Sequence, residues 1–255
     1  MKVASTISGR SDAPTVVLAN SLGSMWEMWD ANLASLERHF RVVRFDTRGH
    51  GRSPVPPGPY TIDDLTDDVV ELLDFLELER AHFVGLSLGG MAGLRLAARE
   101  PERVDRLVVL CTGARLDPSS AWIDRAALVR ARGTAAVAEA VVQRWYTGPW
   151  LDRHPRIRKE SEEMVASTPP DGYAACCEVI AAMDLLDDLP SITAPTLAIA
   201  GADDPATPPW QLERIATAVA DGKLLVVPEA AHLASAERPD LVTPAVIAHL
   251  QGDGS

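Results

Sequence analysis

The sequence predicts a doubly wound α/β fold: a mostly parallel sheet with helices on both faces and a helical insertion between two of its strands. Short apolar runs alternate with helical stretches, as expected when βαβ units build a parallel sheet. One run turns sharply at Gly85-Leu86-Ser87-Leu88-Gly89 and continues as an Ala/Leu/Gly-rich helix. The alternation then stops from about Ala114 to Pro190 and resumes afterwards. A chain of 255 residues suits one such domain carrying one insertion. The expected core is 1–113 with 191–255, and the expected helical cap is 114–190.

The elements follow in order. Residues up to Pro14 suit a leading hairpin or edge strand. Thr15–Asn20 is continuously apolar, which marks a strand buried on both faces. It opens into Ser21-Leu22-Gly23-Ser24 and a helix-like stretch with Trp26, Met28, Trp29, Leu33 and Leu36. Arg41–Phe45 is the next strand, and it leads into Asp46-Thr-Arg-Gly-His-Gly-Arg-Ser53 and a Pro-rich loop. Thr61 to Asp64 reads as a capping box before Leu65, Val69, Leu72, Leu73 and Leu76 at helical spacing. Strands follow at Ala81–Leu86, Arg106–Leu110, Thr196–Ala200 and Lys223–Val227. Helices are expected near Trp210–Val219 and Pro239–Leu250, with a polar tail from Gln251 to Ser255.

Composition narrows the function. The net charge of −12 opposes nonspecific binding to nucleic acid or to an anionic membrane. Cys111, Cys176 and Cys177 have no zinc-type spacing, and the adjacent pair is poorly placed to bond to itself, so a reducing compartment fits. The N-terminus lacks a secretory apolar segment, and no run reaches transmembrane length. The expectation is a soluble cytoplasmic protein with a small-molecule substrate and no metal or cofactor.

G-x-S-x-G between an apolar strand and a helix is the pattern of a nucleophile elbow; the competing reading is a Gly/Ser turn that merely joins two elements. A serine needs a base and an orienting acid. In the elbow architecture these follow in the order Ser, acid, His, on loops after later strands. Asp204 lies after Thr196–Ala200, in Gly201-Ala-Asp-Asp-Pro-Ala-Thr-Pro208, with Asp203 as the adjacent rival. His232 lies after Lys223–Val227. The other histidines are less well placed. His39, His82 and His154 lie before a strand, at the start of a strand and in the insertion. His249 is expected near the surface of the last helix, and His50 as a turn residue packing its loop. The backbone N–H groups of Leu22 and Leu88 are the expected oxyanion-hole donors.

With these residues in view, the whole chain resembles the α/β-hydrolases, and more narrowly the 3-oxoadipate enol-lactonases. Asn20-Ser21-Leu22-Gly23 departs from the His-Gly pair common in the superfamily but is similar to the N-S-L-G of the enol-lactonases. Arg44–Ser53, Gly58–Ile62, Gly85–Gly90, Arg144–Thr147 and Gly172–Glu178 also look like family segments. The resemblance implies a serine triad of Ser87, Asp204 and His232 that opens a lactone bearing a free carboxylate. A cap arginine is the expected partner of that carboxylate, because its planar fork binds carboxylates bidentately. Arg130, Arg132 and Arg144 are the candidates, with Trp122 and Trp145 as pocket roof. The alternatives are a general esterase, a cofactor-free perhydrolase, a C–C bond hydrolase, or a non-catalytic binding module on the same fold.

Overall fold

In the computed structural model, which describes residues 1–252, the seven strands form a single sheet in the order β1-β3-β2-β4-β5-β6-β7. They are β1 (Ser5–Gly9), β2 (Thr15–Ala19), β3 (Arg41–Phe45), β4 (Ala81–Leu86), β5 (Val104–Leu110), β6 (Thr196–Gly201) and β7 (Gly222–Val227). Only β1 runs antiparallel, pairing Ser5 with Phe45 through Gly9 with Arg41; every other pairing is parallel. The leading segment is therefore an edge strand. β2, β4 and β6 are buried along their whole length, which explains their unbroken apolar runs.

The helices of the core are α1 (Asp30–Leu36), α2 (Ile62–Phe75), α3 (Leu88–Arg99), α9 (Pro209–Ala218), α10 (Ala234–Glu237) and α11 (Pro239–Gln251). The stretch before α1 is broken: Trp26–Trp29 forms a 3-10 turn instead of continuing one helix. The capping box of α2 forms as its sequence predicts, with Thr61 Oγ1 accepting the Asp64 N–H and Asp64 accepting the Thr61 N–H. α3 buries Leu88, Met91, Ala92, Leu94, Leu96 and Ala97. Five helices lie between β5 and β6: α4 (Ser119–Arg132), α5 (Ala135–Trp145), α6 (Gly148–Arg153), α7 (Pro155–Ser167) and α8 (Pro170–Ala182).

One expectation fails in the last helix. His249 is not near the surface but buried, with Nε2 3.1 Å from the Pro195 carbonyl just before β6. α11 lies against β5 and β6, which turns that face inward. Of the expected tail, Gln251 ends α11, Gly252 follows in the left-handed conformation, and 253–255 lie outside the described residues. No helix among the described residues is long and apolar enough to cross a membrane.

Candidate active site

Parallel strands deliver the loops after β2, β4, β6 and β7 to one edge of the sheet, where sites form in doubly wound folds. Ser87 occupies the turn between β4 and α3 at φ 55° and ψ −115°. That conformation is strained for a residue with a Cβ and is held by its surroundings. The Ser87 N–H donates to the Leu110 carbonyl at 2.9 Å, and Thr112 Oγ1 donates to the Ser87 carbonyl at 2.7 Å. The flanking glycines make room for the turn. A Cβ at Gly85 would sit 2.3 Å from the Gly89 oxygen, and one at Gly89 would sit 2.5 Å from the Ala19 backbone.

Asp204 and His232 meet behind this turn. Asp204 Oδ2 lies 2.8 Å from His232 Nδ1 and also accepts the Thr207 hydroxyl at 2.6 Å. Oδ1 accepts the backbone N–H groups of Ala206 and Thr207 at 2.8 and 3.1 Å. Burial works against the charge of Asp204, but His232 and these donors outweigh it and bring the carboxyl down to about 2. Asp203, by contrast, is exposed. Ser87 and His232 line the same cavity, though no hydrogen bond between Ser87 Oγ and His232 is closed among the described residues. Apo sites commonly leave this contact long.

Backbone accounting points to an anion-binding corner. From Ser21 to Trp26 every backbone N–H except that of Leu22 has an acceptor among the described residues. Leu88 opens α3, so no preceding turn supplies an acceptor for its N–H. Leu22 lines the cavity with Ser87, and the Gly89 N–H donates to Asn20 at 2.9 Å, which joins the two loops.

The cavity measures about 210 Å³, below the roughly 300–1,000 Å³ typical of drug-sized ligands. Trp122, Arg144 and Trp145 line it as the sequence suggests; Arg130 and Arg132 do not. Arg130 lies outside the cavity and is paired with Glu178, its Nη2 2.8 Å from Oε2. Arg132 is exposed at the end of α4. Helix geometry gives the reason. Arg125 shares a face with Trp122 one turn away, whereas Arg130 is rotated by about 140° from Arg125 and Arg132 lies about 10 Å further along.

Arg125 is thus the residue the sequence reading missed, and its signal was the Trp122-x-x-Arg125 spacing. Its guanidinium stacks 4.5 Å from the Trp122 ring. Neither Arg125 nor Arg144 pairs with a carboxylate among the described residues, and burial, then the nearby Arg125, lowers the Arg144 pKa. The buried Tyr173 hydroxyl lies beside them, and both guanidinium groups act on it.

The junction between α5 and α6 is fastened to the His232 loop. The Leu233 N–H donates to the Trp145 carbonyl at 2.7 Å. The buried Glu237 carboxylate accepts the Ala231 N–H at 2.9 Å and the Thr147 N–H at 3.0 Å, and it bonds the Thr147 hydroxyl. Among the described residues no cluster of three or more His, Cys, Asp or Glu converges on a metal-sized point.

A strained strand-turn-helix serine, followed in chain order by a buried Asp–His pair, defines a class, and comparison agrees with it. The model of the alpha/beta hydrolase fold family matches residues 14–239, and the chain belongs to that family. It is an enzyme of the lactone- and ester-hydrolysing kind and is similar to the 3-oxoadipate enol-lactonases. It is 38% identical to 3-oxoadipate enol-lactonase 2 of Acinetobacter baylyi, over 93% of this chain and 89% of that one. The crystal structure of the enol-lactonase from Burkholderia xenovorans LB400 superposes with a TM-score of 0.96 at 41% identity, covering 98% and 96% of the two chains. A putative carbamate hydrolase RutD of a Caulobacter species is 35% identical over 96% and 93%.

Proposed function

We propose that this enzyme opens 3-oxoadipate enol-lactone to 3-oxoadipate through an acyl-enzyme. The observation that carries the reading is the pair of guanidinium groups, Arg125 and Arg144, that have no acidic partner among the described residues in the cavity holding Ser87 and His232; Asp117, the acid on that lining, pairs with Arg115. Their charge asks for an anionic substrate, and the enol-lactone carries one carboxylate beside its ring ester. The relatives named above supply the specific lactone.

In this mechanism Ser87 Oγ attacks the ring carbonyl carbon while its proton passes to His232 Nε2. The carbonyl oxygen becomes an oxyanion held by the N–H groups of Leu22 and Leu88, with the positive end of α3 behind them. The ring C–O bond then breaks, and the enolate oxygen takes the proton from His232. An enolate leaves more readily than an alkoxide, and the released enol ketonises. Water, deprotonated by His232, attacks the acyl carbon and restores Ser87. Asp204 keeps Nδ1 protonated and stabilises the imidazolium without taking its proton. The β-ketoadipate route of aromatic degradation and a cytoplasmic setting, which the three buried free thiols suit, are parts of the same proposal.

The test compares kcat/KM on the enol-lactone with that on p-nitrophenyl acetate, alongside fluorophosphonate labelling that Ser87→Ala should abolish. A lactone rate no higher than the ester rate sinks the substrate assignment; absence of labelling sinks the serine chemistry. The carbamate hydrolase relatives make a carbamate ester the second substrate to assay. A higher kcat/KM on it than on the lactone would reassign the reaction while leaving the triad in place.

A further inference from the structure

The loop from Asp46 to Ser53 holds a buried group that the chemistry above leaves idle. His50 is completely buried, and its ring sits 6.4 Å from that of Tyr173 in α8. Its Nδ1 lies 3.1 Å from the Arg48 carbonyl, and its Nε2 lies 2.9 Å from the Gly23 nitrogen. A carbonyl only accepts and a backbone N–H only donates, so the two bonds fix the tautomer. Nδ1–H donates to Arg48, and the lone pair of Nε2 receives the Gly23 N–H. Burial lowers the imidazole to about 4, which keeps that lone pair available at neutral pH.

The support beneath His50 is itself fixed. Arg48 is buried and donates from Nε and Nη2 to the two Asp68 oxygens of α2 at 2.6 and 2.9 Å. Above it, Gly23 has φ +79°, and a Cβ there would lie 2.9 Å from the Tyr173 ring. The Leu22–Gly23 turn is thus confined on two sides. Within it the Gly23 N–H goes to His50, the Ser24 N–H to Ser21 and the Trp26 N–H to Asp46. Within the turn, among the described residues, only the Leu22 N–H is left without an acceptor, and Leu22 shares a cavity wall with Ser87.

We propose that His50 is a positioning residue of the oxyanion hole: by accepting the Gly23 N–H it fixes the Leu22–Gly23 peptide, and through Leu22 Cα the adjoining Ser21–Leu22 peptide, so that the Leu22 N–H is the donor left for the developing oxyanion. The proposal rests on Ser87 being the nucleophile, and the two fail differently. If Ser87→Ala retains hydrolysis and labelling, the reading of the site is wrong. If Ser87→Ala is dead but His50→Leu keeps its kcat, only the role of His50 is wrong.

The experiment uses His50→Leu, which fills the space without an acceptor, and His50→Gln, whose Oε1 can take the same N–H. On p-nitrophenyl acetate His50→Leu should lose about 100-fold in kcat, the scale of one oxyanion donor, with KM nearly unchanged. His50→Gln should recover most of that loss. Phenylboronic acid, whose adduct on Ser87 is tetrahedral, should weaken in step with kcat, a change that loss of folded protein alone would not produce. Equal losses in both variants with unchanged boronate affinity would overturn the proposal. Should His50→Leu not fold, the Gln variant and the wild-type chain still decide. Nitrogen NMR of 15N-histidine protein should show His50 as the Nδ1–H tautomer from about pH 6 to 8, and an Nε2–H tautomer would overturn the assignment.

Discussion

The two walls of the cavity are built on opposite terms. On the sheet side the groups that hold the reactive atoms in place are committed: Asp204 accepts four hydrogen bonds, and Ser87 is tied through both its N–H and its carbonyl. On the helical side neither Arg125 nor Arg144 has an acid partner among the described residues, and the Tyr173 hydroxyl has only the guanidinium groups beside it. A guanidinium that lines a cavity without an acidic partner is a place where an anionic ligand can supply the missing bonds. On the proposed function, reactive geometry is held by groups that spend their bonds within the protein, and substrate choice by groups that do not.

That contrast breaks most visibly at Ser87. Ser87→Ala should lower kcat by about 10⁶-fold, the scale found when a triad serine is removed, while the melting temperature hardly moves. A loss below about a hundredfold would mean that the committed wall is not the reactive one. Asp204→Asn comes next. The amide no longer accepts the Nδ1–H in the same way, and kcat should fall by about 10⁴-fold with KM little changed. Thr207, 3.3 Å from His232 Nδ1, cannot substitute, because it lacks the negative charge that steadies the imidazolium.

Acid sharpens the comparison, because its targets lie on the sheet side. Asp204 falls from 3.8 unfolded to about 2 folded, so its contribution is complete above about pH 4 and is lost as pH drops towards 2. His50 falls from 6.5 to about 4, so the unfolded chain binds the extra proton between those values and stability declines as pH falls through that window. The His50 part should cost roughly 3 kcal/mol by pH 4, with burial of His82 and His249 acting in the same direction. Urea unfolding from pH 7 to 4 measures it, and His50→Gln should flatten the slope. A slope unchanged by that substitution would place the acid sensitivity elsewhere.

The same division explains what could be read from the chain alone. The placement of strands and loops along the chain follows from local signals: apolar runs, the Gly85 and Gly89 pair that permits the turn, and loops that must follow β6 and β7. Those signals led to Ser87, Asp204 and His232, and the structure brings the last two within 2.8 Å of each other. The helical wall carries only the Trp122-x-x-Arg125 spacing, which puts two residues on one face without saying which way that face points. Arg125, Arg130 and Arg132 share one helix, and only the way α4 rests over the cavity separates the inward Arg125 from the Arg130 that pairs with Glu178. His249 was misjudged for a related reason: its helix is apolar on several sides, so the pattern did not fix which face α11 turns to the sheet.

The smallest expected effect tests the uncommitted wall. Arg144→Ala and Arg125→Ala should each raise KM for the carboxylate-bearing lactone by about 10- to 100-fold, the range of one lost charge-assisted contact. kcat should change little, because a carboxylate held equally in ground and transition states contributes uniform binding. The internal control is p-nitrophenyl acetate, which has no carboxylate and should keep its KM in both variants. Arg144 should show the larger effect: it is the one whose charge burial disfavours, and an arriving anion relieves that penalty. Equal KM increases on the charged and neutral substrates would mean the arginines shape the cavity through packing, and the contrast between the two walls would no longer explain selectivity.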